Sequence, residues 1–282
     1  MSFDANAHRA SSLAGWEEAA SGWIRRQDAI RSLGAPVSGW MLDAVALRPG
    51  GRVLELAAGL GETGMLAAEL IGPSGRVIVS DQAEAMLAGA RARAAELGLA
   101  NVEFQVLGAE WIDLPLASVD AVLCRWGYML LADPGAALGE TRRVLRPGGK
   151  VALAVWDAIE RNPWAPMPML QLIDGEPASS AASTPGPFAL ADGERVRELL
   201  AEAGFTEIDV QALDIEQRHD SFDAFWETSL DISRGFHDAV LSRPAEEVAE
   251  LRGALVAHLA GYTAEDGTLA IPGRTLVASA TA

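Results

Sequence analysis

The chain has 282 residues, half of them hydrophobic, and a formal charge of −17 from 39 acidic against 22 basic side chains. That is apolar material for a large core, while the negative balance repels phosphate backbones. Arg25-Arg26 and Arg142-Arg143 are too short to build a basic patch, so nucleic acid and membrane surfaces are disfavoured as partners.

Cys124, the single cysteine, cannot close an internal disulfide, and four scattered histidines show no metal-ligand spacing, so no metal site is expected. No apolar run approaches membrane-spanning length, and Met1-Ser2-Phe3-Asp4 lacks the basic and apolar regions of a signal peptide. A cytoplasmic protein is the expectation.

In chain order, residues 8–47 read as helical pieces: Trp16, Trp23 and Ile24 fall near helical spacing, and Pro36 can open a short helix to Ala46. Strand–helix alternation then begins. Arg52 to Leu56 is a β-rich run, followed by a glycine loop and a helix from about Glu62 to Ile71. The turn Gly72-Pro73-Ser74-Gly75 leads into a strand from Arg76 to Ser80 that ends at Asp81. Ala83 to Leu97 is a helix closed by Gly98, and Val102–Leu107 and Val119–Cys124 are further strands. Asp133-Pro134 caps and opens a helix that stops before Pro147-Gly148-Gly149, and Val151 to Trp156 is a fifth strand, apolar throughout.

After Trp156 the pattern breaks. Residues 157–190, rich in proline and small residues, predict a long loop or irregular cap. A helix around Glu194–Ala203, a strand near Thr206–Ile215, helices over 221–263 and a last strand from Leu269 to Ser279 complete the chain. This order predicts an α/β fold: a doubly wound, mostly parallel, seven-stranded sheet with a helical insertion before the last strand. The expected organisation is an N-terminal helical lid (1–47), a ligand-binding core (48–156) and a remainder carrying the inserted cap (157–282), in one structural domain.

Gly59-Leu60-Gly61-Glu62-Thr63-Gly64 matches G-x-G-x-x-G between a strand and a helix. That spacing alone serves both dinucleotide and S-adenosylmethionine sites. A pyrophosphate needs free N–H groups and no nearby anion, whereas Glu55 ends the strand and Glu62 stands at the helix N-terminus. Two carboxylates suit a ligand with an ammonium and a sulfonium better, although Glu62 also simply favours the helix dipole. Asp81 can accept hydrogen bonds from both ribose hydroxyls, or cap the next helix, or both.

With these residues in place a resemblance emerges. Val53-Leu54-Glu55-Leu56-Ala57-Ala58-Gly59-Leu60-Gly61 resembles the first motif of class I S-adenosylmethionine-dependent methyltransferases, and Val77 to Asp81 their second. Val119 to Arg125 resembles the fourth, and Arg143 to Lys150 the helix–turn–strand after it; the most similar subset is the type 11, ubiquinone/menaquinone-biosynthesis-like group. The resemblance implies a Rossmann-like core and S-adenosylmethionine as cofactor. It implies that Glu55 holds the methionine ammonium and Asp81 the ribose, that Gly59 and Gly61 admit the ligand to the backbone, and that Gln82 and Met86 flank the adenine. Met86 also reads as an ordinary helix-face residue. Arg125 borders the transfer site or serves a structural ion pair.

Two departures stand out. Ala57 replaces the first glycine of the usual pattern, and Gly108-Ala109 stands where the family often has Asp-Ala, with the Asp reading the adenine amino group. Either Glu110 substitutes, or backbone groups alone hold that edge.

The reaction implied is in-line methyl transfer to a small-molecule acceptor, resting on proximity and orientation. Trp16, Trp23, Trp126, Trp156 and Trp164 are expected near the cofactor mouth as an aromatic lid, or as plain core. The acceptor is expected between Arg125-Trp126-Gly127-Tyr128 and a cover from 157–190 and 221–263, whose Trp164, Phe188, Phe222, Phe225, Trp226 and Phe236 favour an aromatic or lipophilic molecule. Tyr128, His219 and His237 are the candidates for a catalytic role, the histidines as bases for a hydroxyl acceptor, against the plainer reading of each as a surface histidine. An NAD(P)-dependent oxidoreductase and a non-catalytic S-adenosylmethionine-binding protein are the alternatives; the oligomeric state is not encoded in any visible feature.

Overall fold

The structure is a computed structural model that describes residues 3–166, 170 and 184–282. Two helices lead: α1 (Ala5–Arg25), capped by Asp4, whose side chain accepts from the Asn6 and Ala7 N–H groups, and α2 (Gln27–Val45). The alternating part follows as β1 (Arg52–Glu55), α3 (Glu62–Ile71), β2 (Arg76–Asp81), α4 (Glu84–Glu96), β3 (Val102–Val106), β4 (Val119–Arg125), α5 (Pro134–Val144) and β5 (Leu145–Trp156). Then come α6 (Gly193–Glu202), β6 (Thr206–His219), the insertion helices α7 (Phe222–Ile232), α8 (Arg234–Leu241) and α9 (Ala245–Leu259), and finally β7 (Leu269–Thr281).

The seven strands form one sheet in the order β3-β2-β1-β4-β5-β7-β6. β1 pairs in parallel with β2 (Val53↔Val77) and with β4 (Val53↔Ala121), and β7 is antiparallel to both β5 and β6. The mostly parallel sheet with a helical insertion before its last strand is therefore as expected. Its central strands are buried on both faces: Val53, Leu54, Val122, Val151 and Val155 are inaccessible, which is why they read as unbroken apolar runs. The carboxyl ends of β1 and β4, where the strand order reverses direction from the centre, leave a crevice for ligand.

Several boundaries differ from expectation: β6 runs on to His219 and β7 to Thr281, and two others have a clear physical reason. Pro36 does not open a helix; it lies inside α2, which runs unbroken from Gln27. An internal proline costs about 3 kcal/mol, but Ile30, Gly34, Val37, Met41 and Val45 form one buried stripe whose packing outweighs that loss. β5 begins at Leu145 rather than Val151, because Val119 pairs with Leu145 before the register shifts and resumes at Ala121↔Lys150. Among the described residues, no helix is long and apolar enough to cross a membrane.

Candidate cofactor site

β1 ends on Glu55, and the chain must then turn sharply into α3. Ala57, Gly59 and Gly61 take positive φ values of 48°, 55° and 75°. For Gly59 and Gly61 this is free of the Cβ penalty, but Ala57 pays on the order of 1 kcal/mol. Replacing the family's first glycine by alanine is thus not a neutral exchange: the backbone keeps the glycine conformation. Gly64 has a different role. Its N–H donates to Glu55 Oε2 at 2.9 Å, and a Cβ there would lie 2.4 Å from the same oxygen. A side chain at position 64 would push the carboxylate out of place.

Glu55 is 2% exposed. Burial lifts its carboxyl to about 7, against the opposing pull of the Arg125 charge and the Gly64 N–H. Arg125 leaves the end of β4 and runs beneath α2, where a Cβ at Gly34 would sit 1.1 Å from its Nη1. That Nη1 is buried with no hydrogen-bond partner among the described residues, and the guanidinium lies in the field of Glu55 and Glu62. Burial lowers its pKa, and the two carboxylates resist that.

Asp81 ends β2. One carboxylate oxygen accepts from Gly59 N at 2.8 Å and the other from Ala83 N at 2.9 Å, so the residue both ties down the glycine loop and caps the entry to α4. Burial raises its carboxyl, while the Ala83 and Gly59 N–H groups pull it back.

These groups face a cavity of about 420 Å³, within the range of roughly 300–1,000 Å³ usual for small-molecule sites. Of the residues expected at the cofactor, Glu55, Ala57, Gly59, Asp81, Gln82, Met86, Gly108, Ala109, Glu110 and Arg125 all line it, and Gly61 does not. Gly61 lies behind the loop, its Cα face 3.0 Å from the Val79 side chain at the Cβ position. Met86 is 1% exposed, packs with Leu60 and with Ala19 and Ala20 of α1, and reaches the cavity wall. Glu110 is occupied: its carboxylate pairs with the Arg9 guanidinium and accepts from Asp133 N.

The cover differs from expectation. The cavity is closed by α1, through His8, Arg9, Ser12, Trp16 and Trp23, and by Leu130 to Ala132. None of the described residues of 157–190 or 221–263 lines it; residues 167–169 and 171–183 of the expected cover lie outside the described residues. Phe236 is fully buried and Trp226 nearly so in a core shared with Leu251 and Leu255, and Phe225 packs with Leu259 and Ile271. The aromatic residues of the insertion therefore fill its core and its seam with β7. Its outer helices instead brace the lid: Trp23 Nε1 donates to Ile232 O at 3.1 Å, Arg26 Nε to Asp231 Oδ2 at 2.6 Å, and Arg234 pairs with Glu18 at 2.9 Å.

Trp16, Trp23 and Trp126 reach the cavity. Trp156 and Trp164 stand behind Trp126, with ring centroids 4.3 Å (Trp126–Trp156) and 4.6 Å (Trp156–Trp164) apart. Trp126 has φ 60°, a strained value for a bulky residue, and is held there by Nε1 donating to Thr275 Oγ1 at 3.0 Å.

The three catalytic candidates are not gathered at the cavity. Tyr128 is 1% exposed and its hydroxyl bonds Thr141 Oγ1 at 2.6 Å; burial holds its pKa well above the ordinary value. His219 ends β6 edge-on to Phe225, with its pKa lowered by burial, and His237 pairs with Asp238 at 3.3 Å on α8. Among the described residues the histidine that does line the cavity is His8, whose Nε2 lies 2.9 Å from Leu130 O. Sequence reading missed it, along with Arg9 and Ser12. The available signal was register: His8, Ser12 and Trp16 recur every four residues, so one helix face carries all three.

Comparison with known proteins agrees with this geometry. A family profile described as "Methyltransferase domain" matches residues 47–204. Nocamycin O-methyltransferase of Saccharothrix syringae is 32% identical over 238 residues, which cover 80% of this chain and 85% of that protein. A ubiquinone/menaquinone biosynthesis C-methyltransferase of Ralstonia pickettii is 30% identical over 177 residues, 58% of this chain and 71% of its own. The YcgJ protein from Bacillus subtilis matches the fold with a TM-score of 0.59 over 86% of this chain and 97% of that one, at 20% identity. The motifs, the sheet order and these relatives lead to one conclusion: the chain is a class I S-adenosylmethionine-dependent methyltransferase of the type 11 group.

Proposed function

We propose that the enzyme methylates a small aromatic or lipophilic molecule that enters beneath α1 and stacks near Trp126. The carrying observation is the composition of the cavity wall, where Trp16, Trp23, Trp111, Trp126, Leu130 and Leu131 leave few polar groups outside the cofactor-facing set. The relatives, a nocamycin O-methyltransferase and a ubiquinone/menaquinone biosynthesis C-methyltransferase, fit a small-molecule acceptor.

The residues present suit the cofactor. Bound S-adenosylmethionine supplies an electrophilic methyl group on a sulfonium. Glu55 and Arg125 Nη1, which has no hydrogen-bond partner among the described residues, offer opposite charges for a zwitterionic amino-acid end, and Asp81 offers carboxylate oxygens for two hydroxyls. The indole of Trp126 presents a π face that favours a cation or a flat acceptor, and the lid excludes water. With Tyr128, His219 and His237 off the cavity, the protein's contribution is alignment of acceptor and methyl group.

The test is a turnover assay with methyl-labelled cofactor on a panel of phenols, quinols and polar carboxylic acids. Transfer to the aromatic members supports the reading. Transfer confined to the polar acids overturns it.

A further inference from the structure

We propose that the adenine of the cofactor is read by the lid: the Ser12 hydroxyl of α1, acting with the Gln82 amide, recognises the amino group and the adjacent ring nitrogen. The inference rests on the reading of this cavity as the S-adenosylmethionine site.

The loop after β3 lacks the usual aspartate, and its cavity-lining acid, Glu110, is held by protein partners. Gly108 lines the cavity without a side chain, and Glu110 has both carboxylate oxygens engaged, one by Arg9 and one by Asp133 N. Turning Glu110 toward a ligand would break the ion pair that joins α1 to the loop.

The opposite wall is better equipped. Gln82 directly follows the ribose-facing Asp81, and its Nε2 donates to Ser12 Oγ at 3.1 Å. That bond uses one of the two amide N–H groups, orients the amide, and leaves Oε1 as an acceptor without a partner among the described residues. The Ser12 hydroxyl accepts this bond and donates to nothing among them. The pair thus offers an acceptor beside a donor, both on the cavity wall. Adenine presents the complement, an amino donor beside a ring-nitrogen acceptor. Hypoxanthine, with a carbonyl beside an N–H, presents the reverse pattern.

The helix that carries Ser12 is held in register on both sides of it. One helical turn before, His8 Nε2 meets Leu130 O at 2.9 Å. Five residues after, the Glu17 carboxylate accepts from Glu84 N at 2.7 Å and Ala85 N at 3.1 Å, at the N-terminus of α4. Base recognition and lid docking are then one event, because the reading hydroxyl is present only when α1 is seated.

The experiment is calorimetric titration of wild type, Ser12→Ala and Ser12→Thr with S-adenosylhomocysteine and with its deaminated counterpart, S-inosylhomocysteine. Wild type should prefer the adenine ligand by about tenfold or more. Ser12→Ala should cut that preference about three- to tenfold, the worth of one hydrogen bond, and Ser12→Thr should retain it. Circular dichroism confirms that the variants fold, which a serine-to-alanine change on a helix favours. An unchanged preference in Ser12→Ala, equal weakening of both ligands, or no preference in wild type overturns the inference while leaving the cofactor site standing. Failure of wild type to bind either ligand overturns both.

Discussion

The charge on Glu55 should make cofactor binding depend steeply on pH. Its carboxyl sits at about 7 in the ligand-free protein, and a bound ammonium requires the carboxylate. Below pH 7 the protein must first release that proton, so affinity for S-adenosylhomocysteine should fall about tenfold for each pH unit, or ~1.4 kcal/mol. Because the group is already half protonated at pH 7, the loss between pH 7 and 5.5 is about fifteenfold. Over this range the ligand's ammonium and carboxylate keep their charges, so the slope belongs to the protein. Calorimetry in two buffers of different ionisation enthalpy should also detect nearly one proton released per ligand near pH 6. Asp81 is raised as well and faces the same cavity, so Glu55→Gln is the control: it should bind weakly and lose the slope. Flat affinity from pH 5.5 to 8, or a slope that survives in Glu55→Gln, would refute the reasoning.

The same group shapes stability without ligand. A carboxyl raised by folding holds its proton to higher pH in the native state than in the unfolded chain. Its contribution is therefore complete below about 4.5 and is lost as pH rises through about 7. The loss is on the order of 3 kcal/mol, and urea midpoints across that window should decline unless ligand is added.

Other outcomes follow from single contacts. Asp81→Ala should weaken S-adenosylhomocysteine binding by roughly 2–4 kcal/mol, and should also cost about 1–3 kcal/mol of stability because Gly59 N loses its buried acceptor; titration and denaturation separate the two. Gly22→Ala places a Cβ 2.2 Å from Asp231 O and should lift α1 from the insertion, seen as faster hydrogen exchange over residues 8–32 and weaker cofactor binding. In wild type those residues should gain protection when ligand binds; equal protection with and without ligand would make α1 a fixed wall. Tyr128→Phe, His219→Ala and His237→Ala should each keep turnover within about twofold of wild type, provided that folding is intact, because none lines the cavity.

Much of this was legible in the sequence because parallel strands buried on both faces are unbroken apolar runs, and because a glycine loop and a strand-terminal acid carry their mechanism in their spacing. Glu55, Asp81 and Gly59 needed no coordinates to be singled out. What the sequence hid is pairwise. Arg9 with Glu110 and Ser12 with Gln82 are separated by 101 and 70 residues, and no local pattern joins them. The aromatic residues of the insertion were ambiguous for a related reason. Phe225, Trp226 and Phe236 look alike whether they wall a ligand site or fill a small helical core, and only packing distinguishes the two. Pro36 misled because intrinsic cost is visible in a sequence and a compensating buried stripe is not.

The most direct test is an experimental structure of the protein with S-adenosylhomocysteine bound. Ligand density is expected beneath α1, with the ribose hydroxyls at Asp81, the ammonium at Glu55 and the purine between Gln82 and Gly108. Density outside this cavity, or a ligand turned so that its purine lies at Glu55, would contradict this placement.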